Sequence, residues 1–103
     1  MNCTNLVFSY GTLTEKFPSA PSEKATLTCM CELDTYHIYP ALVKSNQMNK
    51  IPGDAIQLTD EELKQADIYE DHPHLYERVE KEIVFDDGSS AKAWIYFFKN
   101  KTN

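Results

Sequence analysis

The chain has few of the residues that loosen a backbone or cross-link it: three glycines, five prolines and three cysteines among 103 residues. So little Gly and Pro, beside six Tyr, five Phe and one Trp, argues against disorder. No stretch approaches the roughly 18–20 consecutive apolar residues of a membrane span, so no membrane partner is expected. Positive charge is also scarce. Ten Lys and Arg against sixteen Asp and Glu leave a formal net charge of -6, which argues against a nucleic-acid partner held through its phosphates. The opening Met1-Asn2-Cys3-Thr4-Asn5 lacks the basic segment of a secretory signal, and a cytoplasmic location is expected.

Cys3, Cys29 and Cys31 form an odd set. A bridge between residues two apart is expected to be strained, and zinc sites use wider cysteine spacing. The expectation is therefore small buried thiols in a reducing compartment. Hydrophobic residues at 42% and charged residues at 25% are ordinary for a globular protein, and the length suits one domain over residues 1–103 with a modest core.

Leu6-Val7-Phe8-Ser9-Tyr10 reads as a buried strand that turns at Gly11. Residues 14–24, with Pro18 and Pro21, read as a surface loop. Over residues 25–33 the set Ala25, Leu27, Cys29, Cys31 and Leu33 alternates with Thr26, Thr28, Met30 and Glu32, a half-buried strand with one apolar face. Two further extended pieces are expected, one beginning at Tyr39-Pro40-Ala41-Leu42-Val43 and one over 50–58, with a turn or bulge at Pro52-Gly53. Residues 76–85 and 91–98 read as strands joined by a hairpin at Asp86-Asp87-Gly88-Ser89.

One helix is clearly marked. Thr59-Asp60-Glu61-Glu62 has the form of a capping box, flanked by a Leu58–Leu63 hydrophobic staple. The helix should end at Tyr69 or Glu70, before Pro73. The predicted fold class is α+β: a small mixed β-barrel with one main helix and short flanking elements.

Three groups could carry chemistry. At about 100° per residue, Leu63, Ala66 and Tyr69 form an apolar stripe that also contains Glu70, whereas Glu61, Lys64 and Asp67 read as ordinary solvated charges. A carboxyl on that stripe either titrates near neutrality as an acid/base, or caps a neighbouring turn, or pairs structurally with Arg78, Lys81 or another base. Tyr10-Gly11-Thr12-Leu13 either presents backbone N–H groups as a nest or simply makes a turn. His72-Pro73-His74 lacks further ligands at recognisable spacing, with His37 remote, so it reads as a solvated loop and no metal is expected.

Taken in order, Tyr10-Gly11-Thr12-Leu13, Tyr39-Pro40-Ala41-Leu42-Val43, Ile51-Pro52-Gly53-Asp54, the capped helix with Asp67-Ile68-Tyr69-Glu70, Tyr76-Glu77-Arg78 and Ala93-Trp94-Ile95-Tyr96 resemble the short bacterial form of the γ-glutamyl cyclotransferase superfamily. The resemblance runs from about Leu6 to Phe98. It implies catalysis by Glu70, substrate binding by Tyr10, Gly11, Thr12, Leu13, Tyr76 and Tyr96, and no cofactor. Arg78 would shape and support the pocket. The implied reaction cyclises a γ-glutamyl amine, amino acid or peptide to 5-oxoproline and releases the amine. Departures include Asp71, where many members carry glycine, Cys29, also at a frequent glycine position, and Asp54, where a Gly-Glu pair is common. The alternative is a non-catalytic module that keeps the barrel and pocket to bind a small ligand or protein.

Overall fold

The computed structural model describes residues 4–36 and 39–99. Cys3 and His37 lie outside them. Five strands and two helices follow in the order β1 (Thr4–Ser9), α1 (Leu13–Lys16), β2 (Ser22–Tyr36), β3 (Tyr39–Thr59), α2 (Asp60–Tyr69), β4 (Tyr76–Phe85) and β5 (Ser90–Phe98). The expected α+β class is observed. The sheet runs β1-β3-β2-β4-β5 and closes into a ring where β1 meets β5 in parallel, with Val7 opposite Trp94. Among the described residues, no helix is long and apolar enough to cross a membrane.

A closed sheet has an inside and an outside, and here both bury side chains. Phe8, Leu27, Leu42, Ile83, Ile95 and Phe97 fill the interior. Val7, Ile56, Leu58, Tyr76 and Tyr96 point outward and are covered by Leu63 and Ala66 of α2 and by Leu13 and Phe17. This explains why β1 is a continuous apolar run, since neighbouring Val7 and Phe8 serve opposite cores. Each fully buried side chain of this size stabilises the fold by roughly 1.5–3 kcal/mol.

Helix α2 starts as its sequence indicates. Thr59 accepts from Glu62 N–H at 3.1 Å while the Glu62 carboxylate accepts from Thr59 N–H at 2.9 Å. The segment expected as a loop over 14–24 differs. Leu13–Lys16 forms a single helical turn, Leu13 and Phe17 are buried, and β2 begins at Ser22. The apolar packing of Leu13 and Phe17 outweighs the breaking effect of Pro18 and Pro21, which stay exposed.

The two pieces expected over 39–58 are one strand, β3, paired with β2 along its length. Its irregularity lies not at Pro52-Gly53, which stay opposite Thr26 and Ala25, but where Met30 pairs with Met48 and Cys31 with Lys44. Beside this shift, whose extra residues 45–47 belong to β3, the Cα atoms of Cys29 and Cys31 lie 5.4 Å apart, within the span a disulfide requires, and the two are bonded. The expectation of free thiols is thus corrected for this pair. Leu33, expected on the apolar face, is half-exposed, because β4 flanks β2 only at Ala25, Thr26 and Leu27 and leaves the outer part of the hairpin uncovered.

Gly53 stands where β3 crosses the end of β1. A Cβ there would fall 2.4 Å from the Ser9 carbonyl oxygen and 2.7 Å from the Phe8 ring. Both obstacles belong to the ring's closing strand, so Gly53→Ala is expected to lower stability by about 2 kcal/mol or more in urea denaturation.

Candidate active site

Because β1 and β5 run parallel, their C-terminal ends emerge side by side, and α2 ends over the same edge. Tyr10 leaves β1 and turns into the opening. Its hydroxyl donates to the Tyr96 carbonyl at 2.5 Å and accepts from Leu42 N–H at 3.4 Å, tying β1, β3 and β5 together. The loop that follows is fastened to the end of α2, with Thr12 Oγ1 2.9 Å from the Tyr69 hydroxyl and Lys16 Nζ 5.8 Å from the Tyr69 ring. Within this loop the Thr12 carbonyl accepts the first bonds of α1, from Glu15 and Lys16. The N–H groups just before them have no intrahelical acceptor and line the open end of the turn.

Glu70 is the C-cap of α2, and the chain beyond it makes a Schellman turn. Asp71 N–H bonds to the Ile68 carbonyl at 3.1 Å and His72 N–H to the Asp67 carbonyl at 2.8 Å. Asp71 pays for that turn with φ of 57°, the left-handed region. The turn folds the Glu70 side chain inward, half-buried, while the Asp71 carboxylate faces outward, 3.5 Å from His74.

Burial pushes the Glu70 carboxyl up to about 7, and no cation among the described residues opposes it. Two phenols share its surroundings. Tyr10 is held well above the usual phenol range by burial first and by the Glu70 charge second. Tyr96 is raised by burial, then by the hydrogen bond and charge of Asp67, with Glu70 a smaller contribution. The structure thus gathers Glu70, Tyr10 and Tyr96 into one electrostatic neighbourhood. Of the other expected site residues, Gly11 and Thr12 are half-exposed beside them. Leu13 is buried and offers only its backbone, and Tyr76 is buried edge-on against Phe98, their ring centroids 5.4 Å apart. A cleft of about 580 Å³ opens beside the loop between Ser9, Tyr10, Gly11, Pro52, Gly53 and Asp54. Glu70 is not among its lining residues, so Tyr10 borders both the cleft and the carboxyl.

Arg78 does not pair with Glu70. Its Nη2 donates to Asp67 Oδ2 at 3.1 Å, its Nε makes a close charge contact with Asp67 Oδ1 at 2.9 Å, and its guanidinium lies 4.5 Å from the centre of the Trp94 ring. Asp67 Oδ1 also accepts from the Tyr96 hydroxyl at 2.6 Å. Asp67 is therefore not the solvated charge its helix position suggested. The missed signal was its place one turn before Glu70, combined with Arg78 being the sole arginine of the chain.

His72, read as part of a solvated loop, is half-buried. Its Nδ1 accepts from Arg78 N–H at 3.1 Å and its ring meets Tyr96 edge-on. His74 alone is solvated. Among the described residues, no group of three or more His, Cys, Asp or Glu is placed to hold a metal ion.

The left-handed Asp71 suggests a direct test of the turn. Glycine adopts this conformation without the penalty of a Cβ, and the exposed contact with His74 contributes little. Asp71→Gly is expected to stabilise the protein by about 1 kcal/mol in chemical denaturation.

Comparison with known proteins follows the same outline. A family model described as gamma-glutamyl cyclotransferase, AIG2-like matches residues 7–103. A Methanocaldococcus jannaschii protein named "Putative gamma-glutamylcyclotransferase" is 32% identical over 62 residues, 60% of this chain and 52% of that protein. The chain spans about half the length of the curated relatives it matches. Among solved structures, one named "Gamma-glutamyl cyclotransferase" superposes with a TM-score of 0.78 at 20% identity, covering 95% of this chain and 68% of that one. An Arabidopsis thaliana protein solved in solution gives 0.76 at 24% identity, covering 97% and 72%. At these identities the solved structures establish the shared fold.

Proposed function

Since the chain belongs to the gamma-glutamyl cyclotransferase, AIG2-like family, we propose that it cyclises a γ-glutamyl amine, amino acid or peptide to 5-oxoproline, with Glu70 as the acid/base. The observation that carries this reading is a half-buried carboxyl raised to about 7 by burial, with no cationic partner among the described residues, in the same electrostatic neighbourhood as two phenols. A carboxyl in that range can accept and return a proton near neutral pH, which one titrating near 4 does poorly.

In the proposed reaction the substrate's α-amino nitrogen attacks its own γ-carbonyl carbon. Glu70 takes a proton from the α-ammonium as the new C–N bond closes a five-membered ring. The bond to the leaving amine then breaks as Glu70 returns the proton to that nitrogen, and the second proton shed by the ring nitrogen is taken up by the released amine, which departs as its ammonium. The ring-closing geometry makes proximity the main source of rate, because intramolecular attack carries a large effective molarity. N–H groups of the 10–13 turn would hold the γ-glutamyl group and stabilise the oxyanion. Tyr10 and Tyr96 would wall the pocket, with Tyr76 supporting it from the core. No cofactor enters the scheme.

The test follows 5-oxoproline release by mass spectrometry from a panel of γ-glutamyl amines, amino acids and peptides. Wild type should release it with an acid limb near pH 7, and Glu70→Gln should not. Silence of folded wild type across the panel would refute the reading. The same substitution has a thermodynamic signature. The folded state keeps the Glu70 proton up to about pH 7, the unfolded chain only to about 4.5. Stability is therefore present below 4.5 and lost as pH rises through 7. Glu70→Gln removes that loss. It should leave stability unchanged at pH 4 and raise it by about 2 kcal/mol at pH 8, read from denaturation curves at the two pH values.

A further inference from the structure

A half-buried carboxylate that shares its surroundings with two phenols, on a helix whose preceding turn holds an arginine, would ordinarily draw hydrogen bonds and charge from such groups, and its pKa would fall. Around Glu70 each of these groups is engaged elsewhere. The Tyr10 hydroxyl, at the end of β1, has one proton and gives it to the Tyr96 carbonyl. The Tyr96 hydroxyl, on β5, gives its proton to Asp67. Arg78, on β4, turns two nitrogens to Asp67 and its flat face to Trp94. Tyr76, also on β4, acts on Tyr10. In the turn after α2, His72 accepts from the Arg78 backbone, and Asp71 faces His74 and solvent.

We propose that Asp67 is a positioning residue for Glu70: by holding the Tyr96 proton and the Arg78 guanidinium, it keeps both from stabilising the Glu70 anion. Asp67 sits one helical turn before Glu70, close enough to compete for the same partners. Both of its oxygens are occupied: Oδ1 meets Tyr96 and Arg78 Nε, and Oδ2 meets Arg78 Nη2. Asp67 and Arg78 each retain only 20% of their side-chain exposure, so solvent screens the pair weakly. As an ion pair they add little net charge beside Glu70. The carboxyl is left with its burial, while the protons of the two phenols go to the Tyr96 carbonyl and to Asp67, which is the environment a proton shuttle requires. The functional meaning rests on the cyclotransferase reading, whereas the electrostatic arrangement does not.

The experiment therefore reads Glu70 itself, by 13C NMR of its side-chain carboxyl across pH, in wild type and three variants. Asp67→Asn frees Arg78 and the Tyr96 hydroxyl, and the Glu70 midpoint should fall by about one unit or more. Arg78→Met leaves the Asp67 charge uncompensated, and the midpoint should rise. The double variant Asp67→Asn/Arg78→Met removes both charges and should return the midpoint toward wild type. A double variant as low as Asp67→Asn alone would mean that Asp67 acts by its own repulsion, and the proposal would fail. It would fail equally if Asp67→Asn, folded by its amide spectrum, left the midpoint in place. Where turnover is measurable, the acid limb of kcat/KM should move with the NMR midpoint. A purely structural role would lower activity by one factor at every pH. Absence of turnover with the NMR shifts intact would refute the cyclotransferase reading and leave this arrangement standing.

Discussion

Closure of the sheet through β1 is the constraint on which the other features depend. β1 lies between antiparallel β3 and parallel β5, so its side chains must serve an interior and an exterior core at once. Closure aligns the ends of β1 and β5, delivers Tyr10 to the Tyr96 carbonyl, and leaves the outer faces of β1, β3 and β5 to be covered by α2. The end of α2 is then held over the opening into which Tyr10 turns. The close approach of Gly53 to Ser9 and Phe8 belongs to the same crossing. Shape and site thus follow from one strand's placement rather than from a separately built pocket.

Within that frame the electrostatics divide into two carboxylates with opposite fates. Asp67 and Glu70 are three residues apart at the end of one helix, yet Asp67 holds an arginine and a phenol while Glu70 has burial and, among the described residues, no cation. The first is satisfied, and the second is poised near neutrality. A group in the second condition weakens the fold wherever it ionises, which is the usual cost of a functional acid in a partly buried position. The Schellman turn after Glu70 supports this division by sending Asp71 outward to solvent.

What could be read in advance followed from local chemistry. The capping box at Thr59, the 86–89 hairpin with Gly88 at φ of 92°, the alternation in β2 from Ala25 to Cys31 and the buried Leu63 and Ala66 of α2, though not the exposed Tyr69, each depend on neighbours within a few residues. What escaped depended on distant partners. Leu13 and Phe17 formed a helical turn because α2 and the outer sheet surface cover them. Residues 39–59 became one strand because β2 pairs with residues 39–44 and again with 48–56, and β1 with the end of it. Cys29 and Cys31 are bonded beside the register shift between β2 and β3, and His72 left solvent because β4 offered it the Arg78 N–H.

By itself, then, the sequence determined the central stretch of most strands and where α2 begins and ends. It also determined that a carboxyl stands on the helix's apolar stripe, because period and capping are encoded within one or two turns of chain. Tertiary structure decided which of two nearby carboxylates takes the arginine. It decided too where each phenol sends its single proton, and hence which acid stays poised to exchange one. Those outcomes arise from competition among groups 11 to 86 residues apart, and only closure of the ring brings them within hydrogen-bonding distance.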